Sequence, residues 1–445
     1  MKNDIFKAYD IRGKYEKEIG KKEAQEIARA FLGFLTSKKI GKKIKVVIAR
    51  DGSFSSKKLF SVLREEFFLA GCEVIDLEEA TTPMWNWFTG KEKADGGIMV
   101  TASHLTDNYA GFKMAEREAR PVPPEKITPF FEVLKSGAFL KGEVIKVEKK
   151  KYFDFLRKEI KVKRKMKVVV DTCGGGAGEV IREVFKGNKN VVIKKVCFSK
   201  CEHEDNPLEE KNWQELRKKM FLNKFDCGVM FDGDGDRVVF FDEEKNFIQP
   251  DLILAMLANK EIKRGNKFVG DLNLSRAVKE TVERQDGEFV ESKVGHVFIK
   301  EKMIGNEAVL GGESSGHIYF KEMFYAEGAI LAFIKVLNIL SEEKERISKM
   351  LLPFQRYWKM KERNFAMAGG KFKMILEMME KKFEDGKISK IDGIKIEYPE
   401  WWFSVRVSNT EEKVRVNFEA REEKFGRKKF REVLELLKDF LKRKK

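Results

Sequence analysis

The stretch KVVVDTCGGGAGEVIREVF, residues 167–185, places an apolar run, a glycine-rich turn and a helix-like segment one after another. A short apolar run bounded by glycine is typical of a buried strand, and the apolar spacing after the glycines has the period of an amphipathic helix. The same order occurs around KVVIARD (45–51) and again at KFVGDLNLSRAVKETVE (267–283). These restarts of strand, polar turn and helix predict three related α/β units.

The last part of the chain has a different order of elements. An amphipathic helix in GGKFKMILEMMEKKF precedes short strands in WWFSVRVSN and KVRVNFEA, and a terminal helix in FREVLELLKDFLKRK follows them. This order predicts an α+β domain with antiparallel strands. At 445 residues the chain is too long for one core, so we predict four domains. Their predicted bounds are 1–145, 146–248, 249–360 and 361–445.

The charge of the chain limits its partners. The formal net charge is +17, and 36% of the residues are charged, against about 25% in an average domain. The lysines alternate with glutamates and form no basic arm, which argues against nucleic-acid binding and favours a solvated surface that attracts phosphorylated small molecules. Apolar runs fall short of the ~18–20 residues of a membrane span. We expect a cytoplasmic protein with no membrane or nucleic-acid partner, either a monomer or a homodimer.

The cysteines are few and scattered, at positions 72, 173, 197, 201 and 227. An odd, dispersed set indicates a reducing compartment and argues against a disulfide framework. Cys197, Cys201 and His203, in CFSKCEH, carry the atoms of a soft-metal site. A fourth ligand at a zinc-like spacing is lacking in the sequence, and this favours the interpretation of these three as ordinary residues.

The stretch FDGDGDRVVFF (231–241) sets Asp232, Asp234 and Asp236 at alternate positions between two apolar runs. In an extended backbone, alternate side chains point the same way, and two carboxylates about 6 Å apart repel by roughly 2–3 kcal/mol. A bound cation would offset this repulsion. The three aspartates are therefore candidate ligands for Mg²⁺, with Arg237 beside them suited to a phosphate.

The loop has two other interpretations, an EF-hand and the nucleophile loop of an aspartyl phosphatase. An EF-hand requires glycine where Arg237 stands, and helices where the flanking sequence predicts strands. An aspartyl phosphatase would use Asp232 as nucleophile and Asp234 as acid, but that leaves Asp236 without a role.

The stretch VTASH places Ser103 where a predicted strand ends in a polar loop. Strand ends in α/β sheets face the ligand crevice, so Ser103 is a candidate nucleophile or phosphoryl carrier. Its alternative role is to cap the next element, as most loop serines do. Because no G-x-S-x-G motif is present in the sequence, a hydrolase triad is poorly supported.

Two further loops could bind ligands. In GGESSGH (311–317), Glu313 and Ser315 could pair with sugar hydroxyls, although a glycine-rich loop can also be only a tight turn. In RVSNT, the side chains and turn amides could hold a phosphate dianion, or could be ordinary turn residues. The candidate residues there are Arg406, Ser408, Asn409 and Thr410.

Together and in this order, the motifs resemble those of the α-D-phosphohexomutase family, most of all its phosphomannomutase/phosphoglucomutase members. The resemblance spans nearly the whole chain, and VTASH, FDGDGDR and GGESSGH are its most specific parts. It also includes KAYDIRG (7–13), ARDGS (49–53), TTPM (81–84) and VGHVFIK (294–300). The family architecture implies three related mixed-sheet α/β domains and a C-terminal α+β domain around a central cleft.

The resemblance also implies roles for individual residues. Ser103 is similar to the phosphoserine and shares a Mg²⁺ ion with Asp232, Asp234 and Asp236. Glu313 and Ser315 correspond to the readers of sugar hydroxyls, and the RVSNT residues to the clamp on the phosphate that is not reacting. The other positions that line the cleft in relatives are Arg12, His104, Lys113 and Arg237, with catalytic roles, and Tyr9, His296 and His317, with substrate-binding roles.

The implied activity is the interconversion of hexose 1-phosphate and hexose 6-phosphate, with mannose, glucose or both as the sugar. It would proceed through the phosphoserine and a hexose 1,6-bisphosphate, which also serves as activator. The alternatives are a phosphoglucosamine mutase and, more distantly, a Mg²⁺-dependent sugar-phosphate phosphatase or a basic nucleic-acid-binding protein. The chain departs from the family pattern at Leu105, Thr106, Ala110, Asn273 and Glu412.

Overall fold

A computed structural model describes the protein over residues 5–38, 42–103, 108–131, 141–198, 201–366, 372–407 and 413–442. Within these ranges, no helix combines the length and the apolar character needed to cross a membrane. The strands form four sheets, each drawn from one continuous part of the chain.

The first sheet contains the seven strands that precede residue 147 and are described in the structure. Its spatial order is β1-β5-β4-β2-β3-β7, with β6 paired to β5, and β2, β3, β4 and β7 run parallel. The strands are β1 Ile11–Lys14, β2 Lys45–Arg50, β3 Glu73–Glu79, β4 Gly96–Val100, β5 Tyr109–Glu116, β6 Arg120–Pro121 and β7 Glu143–Lys146. The helices are α1 Lys21–Lys38, α2 Phe54–Leu69 and α3 Thr82–Lys91.

The second sheet has the order β12-β11-β10-β8-β9, in which β8, β9 and β10 are parallel and β11 returns antiparallel. Its strands are β8 Met166–Asp171, β9 Val191–Val196, β10 Cys227–Phe231, β11 Val238–Phe241 and β12 Phe247–Ile248. Its helices are α4 Lys150–Glu159, α5 Ala177–Val184 and α6 Gln214–Phe221.

The third sheet has the order β14-β13-β15-β16-β17, again with three parallel strands followed by an antiparallel return. Its strands are β13 Lys267–Asp271, β14 Glu288–Ser292, β15 Leu310–Gly312, β16 Ile318–Phe320 and β17 Ala326–Glu327. Its helices are α7 Pro250–Glu261, α8 Arg276–Arg284, α9 His296–Asn306, α10 Ala329–Glu342 and α11 Ile347–Met350.

The three sheets share one plan, as the repeated sequence pattern predicts. In each, a central parallel strand (β2, β8 or β13) lies between two parallel neighbours. The third strand (β4, β10 or β15) then turns back through a hairpin into an antiparallel strand. The loops of these three equivalent hairpins contain VTASH, FDGDGDR and the ESSGH of GGESSGH. The fold therefore places the three motifs at corresponding positions of three related domains.

The fourth sheet is antiparallel, with the order β18-β22-β21-β20-β19, as an α+β domain requires. Its strands are β18 Trp358–Ala366, β19 Lys387–Ser389, β20 Ile394–Glu397, β21 Trp401–Val407 and β22 Lys413–Ala420, with helices α12 Phe372–Lys382 and α13 Glu423–Lys442. The strand β18 was not predicted, since four of the nine residues in WKMKERNFA are charged and no apolar run marks the strand.

Two helices join the first three domains into one apolar core. Residues 82–90 of α3 are all buried, and so is most of α10, whose sequence AILAFIKVLNIL contains only two polar residues, Lys335 and Asn338. A helix with so wide an apolar surface packs against neighbours on most of its faces. Phe333 of α10 packs on Phe185 and Phe231 of the second domain, and a shared cluster includes Trp85 and Phe88 of α3.

We predict that Gly175→Ala displaces the FDGDGDR loop. A Cβ at Gly175 would lie 2.1 Å from the carbonyl oxygen of Gly233, so one backbone must move. Overpacking of this kind costs roughly 1–3 kcal/mol, and the midpoint of thermal unfolding should fall. Gly305→Ala is the matched control, because its Cβ would meet no described atom within 4 Å and its midpoint should hold or rise. Equal midpoints for the two variants would show that the loops are not in close contact.

Candidate active site

The acidic loop follows β10 and is folded on itself by its own first carboxylate. Asp232 Oδ1 accepts hydrogen bonds from the backbone N–H groups of Asp236 (3.0 Å) and Arg237 (3.1 Å). Gly235 has a φ of 70°, in the left-handed region that favours glycine. All three aspartates are buried, and each offers one oxygen within 4.8 Å of the others. The strands on both sides exclude an EF-hand, as the sequence predicted.

Two carboxylate oxygens of this cluster are free to bind a cation. Within the part of the chain that the structure describes, Asp232 Oδ2 and Asp234 Oδ1 are buried and accept no hydrogen bond. Burial, with the negative charges of Asp236 and Asp234, raises the pKa of Asp232 well above its ordinary value. Closely spaced carboxylate oxygens that lack donors are suited to a hard divalent cation, so these residues fit Mg²⁺.

Lys113 of β5 brings a positive charge into the cluster from the first domain. Its Nζ donates to Asp234 Oδ2 (2.7 Å) and to Asp236 Oδ2 (2.6 Å). Burial alone would lower the pKa of Lys113, but the two carboxylates outweigh burial and raise it, so the side chain is a cation. Thr82, at the start of α3, also donates to Asp234 Oδ2 (2.7 Å). The predicted cleft residue Lys113 thus contacts the acidic loop directly, whereas Thr82 was not predicted.

His317 joins the third domain to the same cluster. Its Nε2 lies 3.1 Å from Asp236 Oδ1, and its Nδ1 lies 3.0 Å from Glu313 Oε2 and 2.8 Å from Ser315 Oγ. Burial would lower the pKa of His317, but Asp236 outweighs burial and raises it to about 10. Burial would raise the pKa of Glu313, but the bond to His317 outweighs it and lowers the pKa to about 2. His317 is therefore a cation held between two carboxylates.

The loop that carries Glu313 is fixed by hydrogen bonds to its neighbours. Glu313 Oε1 accepts from the backbone N–H of Gly295 (2.9 Å), and Oε2 accepts from Tyr319 Oη (2.5 Å). Asp271, at the end of β13, accepts from the backbone N–H of Ser314 (2.9 Å). Burial and the nearby Glu313 raise the pKa of Asp271 to about 7. Asp271 was not predicted, since a lone aspartate after a strand gives no signal of this contact.

Ser103 lies three residues beyond β4 in a strained backbone conformation. Its φ is 57°, which is uncommon for a residue other than glycine, and its backbone N–H donates to Thr101 Oγ1 (2.8 Å). The side chain is largely buried. Backbone strain of this kind clusters at functional sites, where the surrounding structure maintains it. His104, Leu105 and Thr106 lie outside the described residues.

Tyr9, Gly295 and His296 connect the first and third domains beside the site. Tyr9 Oη donates to the carbonyl oxygen of Val294 (2.7 Å), and the Tyr9 ring meets His296 edge-on at 5.9 Å between centroids. Gly295 has a φ of 128°, and a Cβ there would lie 2.5 Å from the Tyr9 ring. Burial lowers the pKa of His296, which favours a neutral imidazole. The site therefore requires glycine at position 295.

Two of the predicted arginines, Arg12 and Arg237, belong to the first and second domains. Arg237 Nε is 3.3 Å from His317 Nε2 and 3.6 Å from Asp232 Oδ2. Arg12, on β1, pairs with Asp10 and lies opposite Gly111 of β5. Among the described residues, Arg12 Nε, His296 Nε2 and Arg406 Nε are buried nitrogens without a hydrogen-bond partner.

The fourth domain presents Arg406 at the end of β21. Arg406 is buried, pairs in register with Arg415 of β22, and has Glu362 Oε2 3.9 Å from one guanidinium nitrogen. Glu362 also lies 3.2 Å from Arg415, so the two arginines share one carboxylate. Ser408, Asn409, Thr410 and Glu412 lie outside the described residues.

A second cluster of buried polar side chains lies close to His296, and the sequence did not predict it. Asn86 of α3 donates to Glu327 Oε2 (3.2 Å) and accepts from Lys300 Nζ (3.1 Å), while Glu327 Oε1 lies 3.7 Å from His296 Nδ1. Burial lowers the pKa of Lys300. Asn86 belongs to the first domain and Glu327 to the third, and no motif of the sequence includes either, so only the fold brings them together.

Two departures from the family pattern can be placed in the structure. Asn273 follows β13 and is buried, and its Oδ1 accepts from Ser404 Oγ of the fourth domain (2.7 Å). Asn273 thus links the third domain to the fourth. Ala110 is buried on β5, opposite Gly13.

The pKa shifts of Glu313 and His317 predict that the stability of the protein depends on pH. The pKa of His317 rises from 6.5 to about 10 on folding. Protonated His317 therefore makes its full contribution to the free energy of unfolding below pH 6.5, and this contribution is lost as the pH rises towards 10. The pKa of Glu313 falls from 4.5 to about 2, so its contribution is complete above pH 4.5 and is lost below it. We expect the thermal midpoint, measured with EDTA, to fall between pH 6.5 and 10 more steeply in the wild type than in His317→Gln. Because both proteins contain the other groups that titrate in that range, the difference between their midpoints reports His317. Parallel curves of midpoint against pH would contradict a raised pKa for His317.

Four family models match the chain in order. They describe phosphoglucomutase/phosphomannomutase alpha/beta/alpha domains I, II and III, at residues 3–139, 150–245 and 249–357, and the C-terminal domain of the same family, at residues 358–435. The fold class predicted from the sequence is confirmed, while the domain bounds given there remain predictions.

Full-length relatives carry the same family names. The chain is 33% identical to the phosphomannomutase of Methanocaldococcus jannaschii, with 97% of each chain covered. It is 31% identical to the phosphomannomutase/phosphoglucomutase of Pseudomonas syringae pv. tomato, with 94% of this chain and 92% of the relative covered. The crystal structure of a phosphoglucomutase/phosphomannomutase family protein from Burkholderia thailandensis is similar at 26% identity and a TM-score of 0.89, covering 99% of this chain and 98% of the other. The chain belongs to the phosphoglucomutase/phosphomannomutase family.

Proposed function

We propose that the protein is a phosphohexomutase that interconverts the 1-phosphate and the 6-phosphate of mannose, glucose or both, through phosphorylated Ser103 and a hexose 1,6-bisphosphate. One observation carries the proposal. A continuous chain of charged contacts runs from Lys113 to Asp236, His317 and Glu313, and takes residues from three equivalent hairpins. A mutase needs its phosphoryl carrier, its charge-neutralising site and its sugar site close together, and these contacts join the domain that carries Ser103 to the acidic loop and to the loop of Glu313.

The acidic loop is suited to Mg²⁺. Asp232, Asp234 and Asp236 would hold the ion, and the oxygen of Ser103 or of its phosphate would be a further ligand. Two of the buried aspartate oxygens lack donors in the described structure, which supports this assignment. When bound, Mg²⁺ neutralises charge on the transferring phosphoryl group.

The cationic side chains would position the transferring phosphoryl group. Lys113 and Arg237 border the acidic loop, and Arg12 lies on the strand next to Lys113, so all three can donate to phosphate oxygens. In the first half-reaction the bond between Ser103 Oγ and phosphorus breaks as a bond from phosphorus to the free sugar hydroxyl forms. The hydroxyl proton passes to Ser103 Oγ. After the bisphosphate reorients, the reverse transfer from its other end regenerates the phosphoserine.

Substrate binding would be shared between the third and fourth domains. Glu313 is held as a carboxylate, and with Ser315 it can pair with vicinal sugar hydroxyls in either orientation of the sugar. Arg406, with Ser408, Asn409 and Thr410, would hold the phosphate that is not reacting. The partnerless nitrogens of Arg12, His296 and Arg406 support an anionic ligand in the cleft. His104 remains a predicted catalytic residue next to Ser103.

The alternatives have less support. Both full-length relatives described above are phosphomannomutase or phosphomannomutase/phosphoglucomutase proteins, which favours mannose and glucose over glucosamine. A phosphatase with Asp232 as nucleophile needs an accessible carboxylate, but Asp232 is fully buried and one of its oxygens is bonded to the loop backbone. The monomer or homodimer state, and the lack of a nucleic-acid partner, remain predictions.

We expect Ser103→Ala to lose the mutase reaction while keeping substrate affinity. Phosphorus NMR would follow mannose, glucose and glucosamine 1-phosphates in separate samples with Mg²⁺ and a trace of the matching 1,6-bisphosphate. The wild type should form 6-phosphates, fastest from mannose or glucose, and calorimetry should show that Ser103→Ala still binds them. Ser61→Ala, at an exposed position of α2, is the matched control and should retain wild-type rates.

The other outcomes separate the alternatives. Mutase turnover by Ser103→Ala would refute the phosphoserine assignment. Release of free phosphate that survives Ser103→Ala and disappears in Asp232→Asn would support a phosphatase. Glucosamine 1-phosphate as the fastest substrate would replace the proposed sugar class.

A further inference from the structure

The segment CFSKCEH gains a fourth potential ligand from the fold. Cys197 and Cys201 follow β9, and His203 lies two residues further on. The neighbouring strand β8 ends at Asp171, which is fully buried. One ligand atom from each of these four residues lies within 4.8 Å of the others. The spacing of the sequence does not reveal this ligand, because Asp171 stands 26 positions before Cys197 and comes close to it only through the pairing of two adjacent strands.

The histidine presents a ring nitrogen to the carboxylate. His203 Nδ1 lies 2.9 Å from the carbonyl oxygen of Glu204, which can only accept, so Nδ1 carries a proton. His203 Nε2 then faces Asp171 Oδ2 at 3.1 Å. In a neutral ring, Nε2 has a lone pair, and two acceptors would face each other. Either a second proton or a cation must lie between them. A metal-bound histidine commonly has its other ring N–H bonded to a carbonyl group, as it is here.

The two cysteine sulfur atoms lie close to the same carboxylate and imidazole groups. The Cys197 and Cys201 sulfur atoms both lie within 4.8 Å of a ring nitrogen of His203 and of a carboxylate oxygen of Asp171. The four ligand atoms are therefore close enough together to bind one divalent cation.

The backbone around the cluster is fixed before any ion binds. The carbonyl oxygen of Cys197 accepts from the backbone N–H of Gly174 (2.6 Å) and from Thr172 Oγ1 (2.9 Å). Asp171 Oδ1 accepts from the backbone N–H of Cys173 (2.9 Å), which leaves Oδ2 for the cluster. The turn after β8 therefore binds both Asp171 and Cys197, and these two ligands are preorganised.

We propose that Asp171, Cys197, Cys201 and His203 form a zinc site separate from the acidic loop. Two sulfur atoms, one imidazole nitrogen and one carboxylate oxygen make four protein ligands, the number typical of a closed structural zinc site. Thiolate ligands select zinc over Mg²⁺, whereas the acidic loop offers oxygens alone. The two sites would bind different metals.

The zinc site would also support the acidic loop. The chain after His203 brings Asp205 against Gly233, where a Cβ would lie 2.5 Å from Asp205 Oδ2. On the other side, Gly175, in the turn after Asp171, packs against the carbonyl oxygen of Gly233. Both segments that contact Gly233 therefore adjoin zinc ligands, and zinc binding would hold them in place.

The test uses the reduced full-length protein. As purified, it should contain stoichiometric zinc that Mg²⁺ does not displace. After chelation, titration with Co²⁺ in excess Mg²⁺ should produce a thiolate-to-cobalt charge-transfer band and the intense visible bands of a tetrahedral site, and Zn²⁺ should abolish them. Because Mg²⁺ fills the acidic loop and carboxylates give no thiolate band, the spectrum reports this cluster alone. The wild type without zinc and without that band would overturn the proposal.

Variants assign the ligands. Cys201→Ser should lose bound zinc and much of the charge-transfer intensity, and Asp171→Asn should weaken zinc binding while leaving both thiolates. Cys72→Ser, at a buried thiol in the first domain, is the matched control and should keep the spectrum. An unchanged spectrum in Cys201→Ser would overturn the proposal. So would a Cys197–Cys201 disulfide in the purified protein, seen as the loss of both thiol hydrogens without bound zinc.

Discussion

The buried carboxylates of the acidic loop are the constraint on which the rest of the site depends. Three negative charges within one short loop cannot be buried without compensation, since each loses its hydration. The protein supplies part of that compensation through Lys113 from the first domain and His317 from the third. The same electrostatic requirement therefore joins three domains and leaves oxygens for a metal ion.

The threefold repeat explains why these charges meet. Each of the first three domains places a hairpin loop after its third parallel strand, and each loop carries a different part of the chemistry. A bridge between Arg237 and His317 joins the second and third hairpins directly. One structural unit, used three times, thus provides the serine, the carboxylates and the sugar-binding glutamate. The fourth domain, joined through Ser404 and Asn273, adds the arginine at the end of β21.

Much of this could be predicted from the sequence, because the strands of the α/β units are apolar and the motifs are local. The alternation of strand and helix predicted the three units, and spacing alone indicated a cation site at Asp232, Asp234 and Asp236. Contacts between domains could not be predicted, since they join residues far apart in the chain. Thr82 contacts Asp234 only in the folded protein. The strand β18 was missed because its half-exposed residues lack an apolar run.

The most direct measurement is an anomalous difference map from crystals grown with Mn²⁺ in place of Mg²⁺. If the buried carboxylates are compensated by a metal ion, the strongest peak should lie among the side chains of Asp232, Asp234 and Asp236, within coordination distance of the Ser103 oxygen or its phosphate. A map in which this loop carries no peak, with its carboxylates bonded only to Lys113 and His317, would contradict the account.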